Sequence, residues 1–203
     1  MKSLILNEGY SKKAILFEKG KGDKIYWKGK SVIDLSHCSG SLLFGHNSNI
    51  IVKSLKNYLK NKISTFSHPN LYAVEFTKLI KSYFPNFKKI IFCNSGSEAV
   101  MKALRISFAT NNKKLIVSVT GSWHGSVGKT LFQPDKNFNP HPLSAGLEKY
   151  DQNKIVFIPY NNIEKSKSIL DKYKNKINCL IIEPVLAGLP MENVGKYLLF
   201  LKN

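Results

Sequence analysis

From residue 89 onward, short apolar runs alternate with helical patterns, and this alternation restricts the fold more than any other property of the chain. The runs are Lys89-Ile90-Ile91-Phe92-Cys93, Leu115-Ile116-Val117-Ser118-Val119, Ile155-Val156-Phe157-Ile158 and Cys179-Leu180-Ile181-Ile182. They are short and rich in β-branched residues, so each reads as a strand buried on both faces. Between them, a helix opening at Ser95 carries Ala99, Val100, Ala103, Leu104 and Ser107 along one face. Another follows an Asn161-Asn162 cap and presents Ile163, Ile169, Leu170 and Tyr173. Such strands alternating with helices predict an α/β fold, a mostly parallel sheet with flanking helices. Ligands of these sheets sit beyond the C-terminal ends of the strands. Asn94, Gly121 and Glu183 all lie at or near such ends.

The first third differs. Lys24–Trp27 and Ser31–Leu35 flank Lys28-Gly29-Lys30, the pattern of a hairpin with a glycine turn. A Gly/Ser-rich loop, Ser39-Gly40-Ser41, leads to Gly45-His46-Asn47. Ile51, Leu55 and Leu59 then take helical spacing, as do Tyr72, Phe76, Leu79, Ile80 and Tyr83 after His68-Pro69-Asn70. The reading divides the chain into an N-terminal segment, residues 1–48, and an incomplete large domain, residues 49–203. The stretch from Gly121 to Lys154 reads as a long loop bordering the site.

Composition limits the function classes. No apolar run approaches the roughly 20 residues of a membrane span, and Met1–Asn7 is too short an apolar run for a secretory signal. A cytoplasmic protein without membrane contact is the expectation. The three cysteines, Cys38, Cys93 and Cys179, are scattered and odd in number, which argues against a disulfide scaffold. Cys93 and Cys179 read as buried apolar residues. The net charge of +18 invites a nucleic-acid reading, but of 31 basic residues only Arg105 is an arginine, and the lysines form no stripe. Bidentate phosphate and base contacts favour arginine, so no nucleic-acid partner is expected. The histidines and cysteines lack metal-ligand spacing, and His37 and Cys38, adjacent at a strand end, would point to opposite faces.

Three clusters can carry chemistry. Ser95-Gly96-Ser97-Glu98 combines a capping box with a glycine at a strand-to-helix turn, where free N–H groups and the helix dipole suit a phosphate. A capped helix without a ligand accounts for the same four residues. Gly121-Ser122-Trp123-His124-Gly125-Ser126 offers a flat ring and an imidazole at a strand exit, or else a surface loop with a packed tryptophan. Glu183, ending an apolar strand before Pro184, is a positioned carboxylate or an acidic cap. Gly125-Ser126-Val127-Gly128-Lys129-Thr130 ends like a nucleotide P-loop, but the first glycine that motif needs is replaced by Trp123.

Taken in order, these clusters resemble the class III pyridoxal-phosphate aminotransferases of the fold-type I group. Asn94–Ala99 with Ala103-Leu104-Arg105 is similar to the family's phosphate cup, Gly121–Gly125 to its Gly-x-aromatic-His-Gly segment, and Ile182–Val185 to its Glu-Pro motif. Gly20-Lys21-Gly22, Tyr26, Asp34 and Gly45-His46-Asn47 resemble its opening segment, and the wording leans toward the glutamate-1-semialdehyde aminomutase branch. The resemblance implies pyridoxal phosphate as cofactor, held by Ser95, Gly96 and Ser97, with Trp123 stacked on the ring, His124 beside it and Glu183 in the polar shell. It implies a small-molecule amino donor or acceptor (an amino acid, amino-aldehyde or amino-sugar precursor), a homodimer, and a Ser39–His46 loop at the substrate pocket.

Two departures qualify the match. The family's ring-nitrogen Asp strand and its Schiff-base lysine are not found, so no catalytic residue is assigned. The chain is expected to be an N-terminal portion, inactive alone, of an aminotransferase or aminomutase. The alternative is a catalytically silent binding or assembly protein that retains the phosphate cup. Val185–Pro190 also lacks the family's usual Gly and polar pattern, which leaves the substrate open.

Overall fold

The computed structural model describes residues 15–60 and 68–203. The reading of Met1–Asn7 lies outside the described residues. By internal contacts the chain divides into two compact units, Met1–Phe87 and Lys88–Asn203.

In the first unit, β1 (Lys19–Lys21), β2 (Lys24–Trp27) and β3 (Lys30–Ile33) form an antiparallel sheet in that order. The expected hairpin is present, and Lys28 and Gly29 take positive φ values of 45° and 73° at its two-residue turn. Two left-handed residues match the twist of the flanking strands, so Gly29 is suited to the second. Asp34, buried after β3, accepts hydrogen bonds from Ser36 N–H, Ser36 Oγ–H and His37 N–H, and its Oδ2 lies 2.8 Å from His46 Nε2. The Ser36 and His46 contacts lead in holding its carboxyl far below the usual carboxylate range. His37 and Cys38 do not end a strand. They sit in a turn at φ 43° and 50°, because Asp34 gathers the chain around its carboxylate instead of letting it run on. Helices α1 (Asn49–Lys60) and α2 (Leu71–Tyr83) follow as expected, and Asn70 caps α2 through its bond from Ala73 N–H.

The second unit opens with α3 (Gly96–Thr110) and contains β4 (Leu115–Val119), β7 (Ile155–Ile158) and β8 (Ile177–Ile181) in a parallel sheet ordered β7-β4-β8. Central β4 is the most buried strand. Helices α5 (Ile163–Tyr173) and α6 (Gly195–Lys202) cover one face, where Val117, Val119, Ile158 and Tyr197 form the core with Ile169, Leu170, Phe200 and Leu201 around them. On β7, Ile155 and Phe157 alternate to the other face and meet Phe132, Phe138 and Leu147. Each fully buried side chain of this kind contributes about 1.5–3 kcal/mol.

Three expectations change here. Residues 89–93 belong to no strand among the described residues, and Ile91 and Phe92 remain exposed. Strand propensity is realised only through a neighbouring ladder, and this run pairs with none of β4, β7 and β8. The stretch 121–154 is not all loop: it holds a hairpin, β5 (Phe132–Pro134) with β6 (Pro140–Pro142), and the short helix α4 (Lys149–Gln152). Prolines at the strand ends hid the hairpin. On α3, Leu104 is buried and Val100 and Ser107 half-buried, but Ala99 and Ala103 are exposed. The helix is turned so that Ser107 Oγ donates to Asn178 Oδ1 of β8 at 2.6 Å, while Asn178 Nδ2 donates to Asn111 Oδ1 at 2.8 Å. Cys93 and Cys179 are half-buried, and burial pushes the Cys179 thiol up. Among the described residues no helix is long and apolar enough to cross a membrane.

Candidate functional site

The start of α3 is built by its capping box. Ser95 is the N-cap, with extended φ and ψ of −148° and 161°. Its Oγ accepts from Glu98 N–H at 3.2 Å, and the Glu98 carboxylate accepts from Asn94 N–H at 2.8 Å. Ala99 N–H closes the first helical turn on Ser95 O. These bonds use the N–H groups of Asn94, Glu98 and Ala99. They leave those of Gly96 and Ser97 unengaged among the described residues, as helix geometry requires of a first turn. A Cβ on Gly96 would meet nothing within 4 Å, so the helix start is open beside Gly96. Helix dipole and free donors together favour an anion there.

The loop after β4 closes against this turn. Ser126 N–H donates to Ser97 Oγ at 3.0 Å. Gly125, at φ +74°, passes so close that a Cβ would overlap Ser97 Oγ and stand 3.0 Å from Ser97 Cα. Gly121, at φ +86°, turns the chain out of β4 over the buried Leu186, whose Cδ1 would lie 3.1 Å from a Cβ at that position. Trp123 is 59% exposed. His124 is buried, and its Nε2 has no hydrogen-bond partner among the described residues.

Glu183, beyond β8, bridges to this loop. Its Oε2 accepts from Trp123 N–H at 3.2 Å and its Oε1 from Ala187 N–H at 3.1 Å, while its own N–H donates to Ser122 Oγ at 3.4 Å. Helix start, β4 loop and β8 loop are therefore joined at the C-terminal ends of neighbouring parallel strands, the place expected for a ligand. All six residues singled out in the sequence lie in this assembly. Ser122, Leu186 and Ala187 were not among them. The apolar run after Pro184 was the one available signal that a side chain is buried there. A cavity of about 590 Å³ lies elsewhere on α3, lined by Met101, Leu104, Arg105, Phe108, Ile116 and Lys129, and shares no residue with this site.

Burial lowers the pKa of His124 from 6.5, and the charge of Glu183 only partly opposes it. A base with a depressed folded pKa is a neutral group that folding protects. Its contribution is complete above the unfolded value and is lost as pH falls through the folded one. Urea unfolding is expected to show stability declining below pH 6.5, the ordinary value, with a slope no steeper than about 1.4 kcal/mol per pH unit from this residue. The decline should be smaller in His124→Asn. Identical pH profiles for the two proteins would show that His124 titrates normally.

Comparison with solved structures defines the class. The fold matches a transaminase with PLP bound at TM-score 0.83 and 24% identity, over 95% of this chain and 46% of that one. It matches a glutamate-1-semialdehyde aminomutase of Pseudomonas aeruginosa PAO1 at TM-score 0.72 and 16% identity, over 92% and 42%. This is the fold of the pyridoxal-phosphate transaminases, with a mixed α/β architecture around a parallel sheet. Residues 5–191 match the model of the family Aminotransferase class-III, and the chain belongs to that family. A curated relative, the glutamate-1-semialdehyde 2,1-aminomutase of Archaeoglobus fulgidus, is 34% identical over 173 residues, 84% of this chain. The chain spans 41% of that relative's length. Family and liganded neighbour together indicate pyridoxal phosphate as the cofactor.

Proposed function

We propose that Ser95, Gly96, Ser97, Trp123, His124 and Glu183 belong to a pyridoxal-phosphate site serving an aminotransferase or aminomutase, with Ser95, Gly96 and Ser97 at the phosphate, Trp123 and His124 at the ring, and Glu183 in the polar shell around it. The observation that carries this reading is the pair of unengaged N–H groups at Gly96 and Ser97 at the start of α3. When bound, pyridoxal phosphate supplies the electron sink for amino-group transfer. The chain's own residues hold and orient it. Gly96 and Ser97 N–H groups donate to phosphate oxygens, and Ser97 Oγ, which accepts from Ser126 N–H, keeps its own proton to donate. The exposed indole of Trp123 offers a face for the ring. The buried imidazole of His124, next to Trp123 in sequence, backs the loop that carries the indole.

The substrate in this reading is a small amino acid, amino-aldehyde or amino-sugar precursor, with an aminomutase favoured by the 34% identical relative. The working form is a cytoplasmic homodimer with no nucleic-acid or membrane partner. Residues 49–203 act as the large cofactor-binding domain and residues 1–48 as an N-terminal segment. The Schiff-base lysine is not among the residues of the chain, which alone would bind the cofactor without turning over.

Gly96→Val tests the assignment. Its side chain would enter space that no protein atom occupies, so the variant should fold. The affinity for pyridoxal phosphate and for inorganic phosphate should fall at least about 100-fold, the loss of two or more charge-assisted hydrogen bonds. Calorimetric titration that finds equal affinity in the two proteins refutes the phosphate cup.

A further inference from the structure

We infer that Glu183 is a positioning residue: it acts on the bound cofactor through Trp123, by clamping the loops that follow β4 and β8, and does not touch the cofactor itself. The inference rests on the reading of this site as a pyridoxal-phosphate site. Each carboxylate oxygen is turned onto a loop backbone, Oε2 accepting from Trp123 N–H and Oε1 from Ala187 N–H, so the group's direction is set by these two loops. The Glu183 N–H completes a second tie, to Ser122 Oγ. β4 and β8 are neighbouring parallel strands, so these bonds lock their exits together. Leu186, buried beneath Gly121, fills the space between the two loops.

Trp123 gives this clamp its purpose. With 59% of its surface exposed, the indole is not held by packing, so its direction depends on the backbone that carries it. That backbone is fixed on one side by Glu183 and, three residues on, by the bond from Ser126 N–H to Ser97 Oγ. The second bond is part of the phosphate cup; the first is not. Removing Glu183 should therefore loosen the stacking face and leave the cup in place. The residue must be an acid to do this. A carboxylate accepts on both oxygens, whereas the amide of glutamine has one accepting oxygen and a nitrogen that only donates, and can serve one of the two N–H groups.

The test uses the whole chain in a Trp27→Phe background, in which Trp123 is the remaining one of two tryptophans. Glu183→Ala is expected to lower affinity for pyridoxal phosphate about tenfold or more, while affinity for inorganic phosphate stays within about twofold, since the cup bonds do not involve this residue. The anisotropy of Trp123 emission should fall, and Glu183→Gln should lie between parent and alanine variant on each readout. Unchanged anisotropy and unchanged pyridoxal-phosphate affinity in Glu183→Ala overturn the inference. So does a parallel loss of inorganic phosphate binding, which would make Glu183 a support of the whole fold. If the parent binds neither anion, the proposed function fails, and the clamp is then decided by anisotropy alone.

Discussion

Gly125→Val is expected to remove pyridoxal-phosphate binding and to lower the stability of the second unit by about 3 kcal/mol, the sum of a left-handed backbone at a β-branched residue and an overpacked contact. The backbone at Gly125 has φ +74°, a region that L side chains seldom adopt. Its Cβ would overlap Ser97 Oγ and approach Ser97 Cα to 3.0 Å. The hydroxyl can rotate away, but the Cα belongs to the first turn of α3 and cannot. Relief requires the loop to lift, which breaks the Ser126 N–H bond to Ser97 Oγ and carries Trp123 with it. Urea unfolding followed by circular dichroism measures the stability loss, and calorimetry measures the binding. A valine variant that binds normally and unfolds within about 0.5 kcal/mol of the parent, the range of a neutral surface change, would falsify the close approach on which the site depends.

The second large effect is expected at Tyr197, the fully buried aromatic of α6. It packs on Val117, Val119 and Ile158, and its ring meets Tyr160 edge-on with centroids 5.8 Å apart. Its hydroxyl donates to Pro159 O at 2.7 Å, just past the end of β7. Tyr197→Ala should cost about 3–5 kcal/mol, the usual range for an aromatic-sized core cavity. Tyr197→Phe should cost only about 1 kcal/mol, one net hydrogen bond, because Ser166 Oγ also donates to Pro159 O, at 3.1 Å, and keeps that carbonyl satisfied. Equal midpoints for the two variants in urea would mean that the hydroxyl, and not ring burial, anchors α6 to the sheet.

Much of this architecture is written in local sequence. Ser95 and Glu98 announce a reciprocal cap, and Asn70 and Asn162 announce theirs, because each bond spans three or four residues and needs no other part of the chain. Leu115–Val119 and Ile155–Ile158 are strands at the bounds their composition predicts. Ile90-Ile91-Phe92 has equal strand propensity and no strand, since propensity cannot supply a ladder partner. The β5–β6 hairpin lay hidden the other way: Phe132–Pro134 and Pro140–Pro142 have little propensity, and are held as a pair by the apolar cluster of Phe132, Ile155 and Phe157 beneath them.

The site divides along the same line. Which residues carry it, and that they end strands and open a helix, follows from the sequence alone. That Gly125 presses on Ser97, that Ser126 reaches a hydroxyl 29 positions away, and that the Glu183 carboxylate grips an amide 60 positions away are decided by tertiary structure. Caps and turns are set by bonds within one or two turns of chain, so composition specifies them. Contacts at such separations exist only once the order β7-β4-β8 places the two strand exits side by side, and that order is a property of the packed sheet.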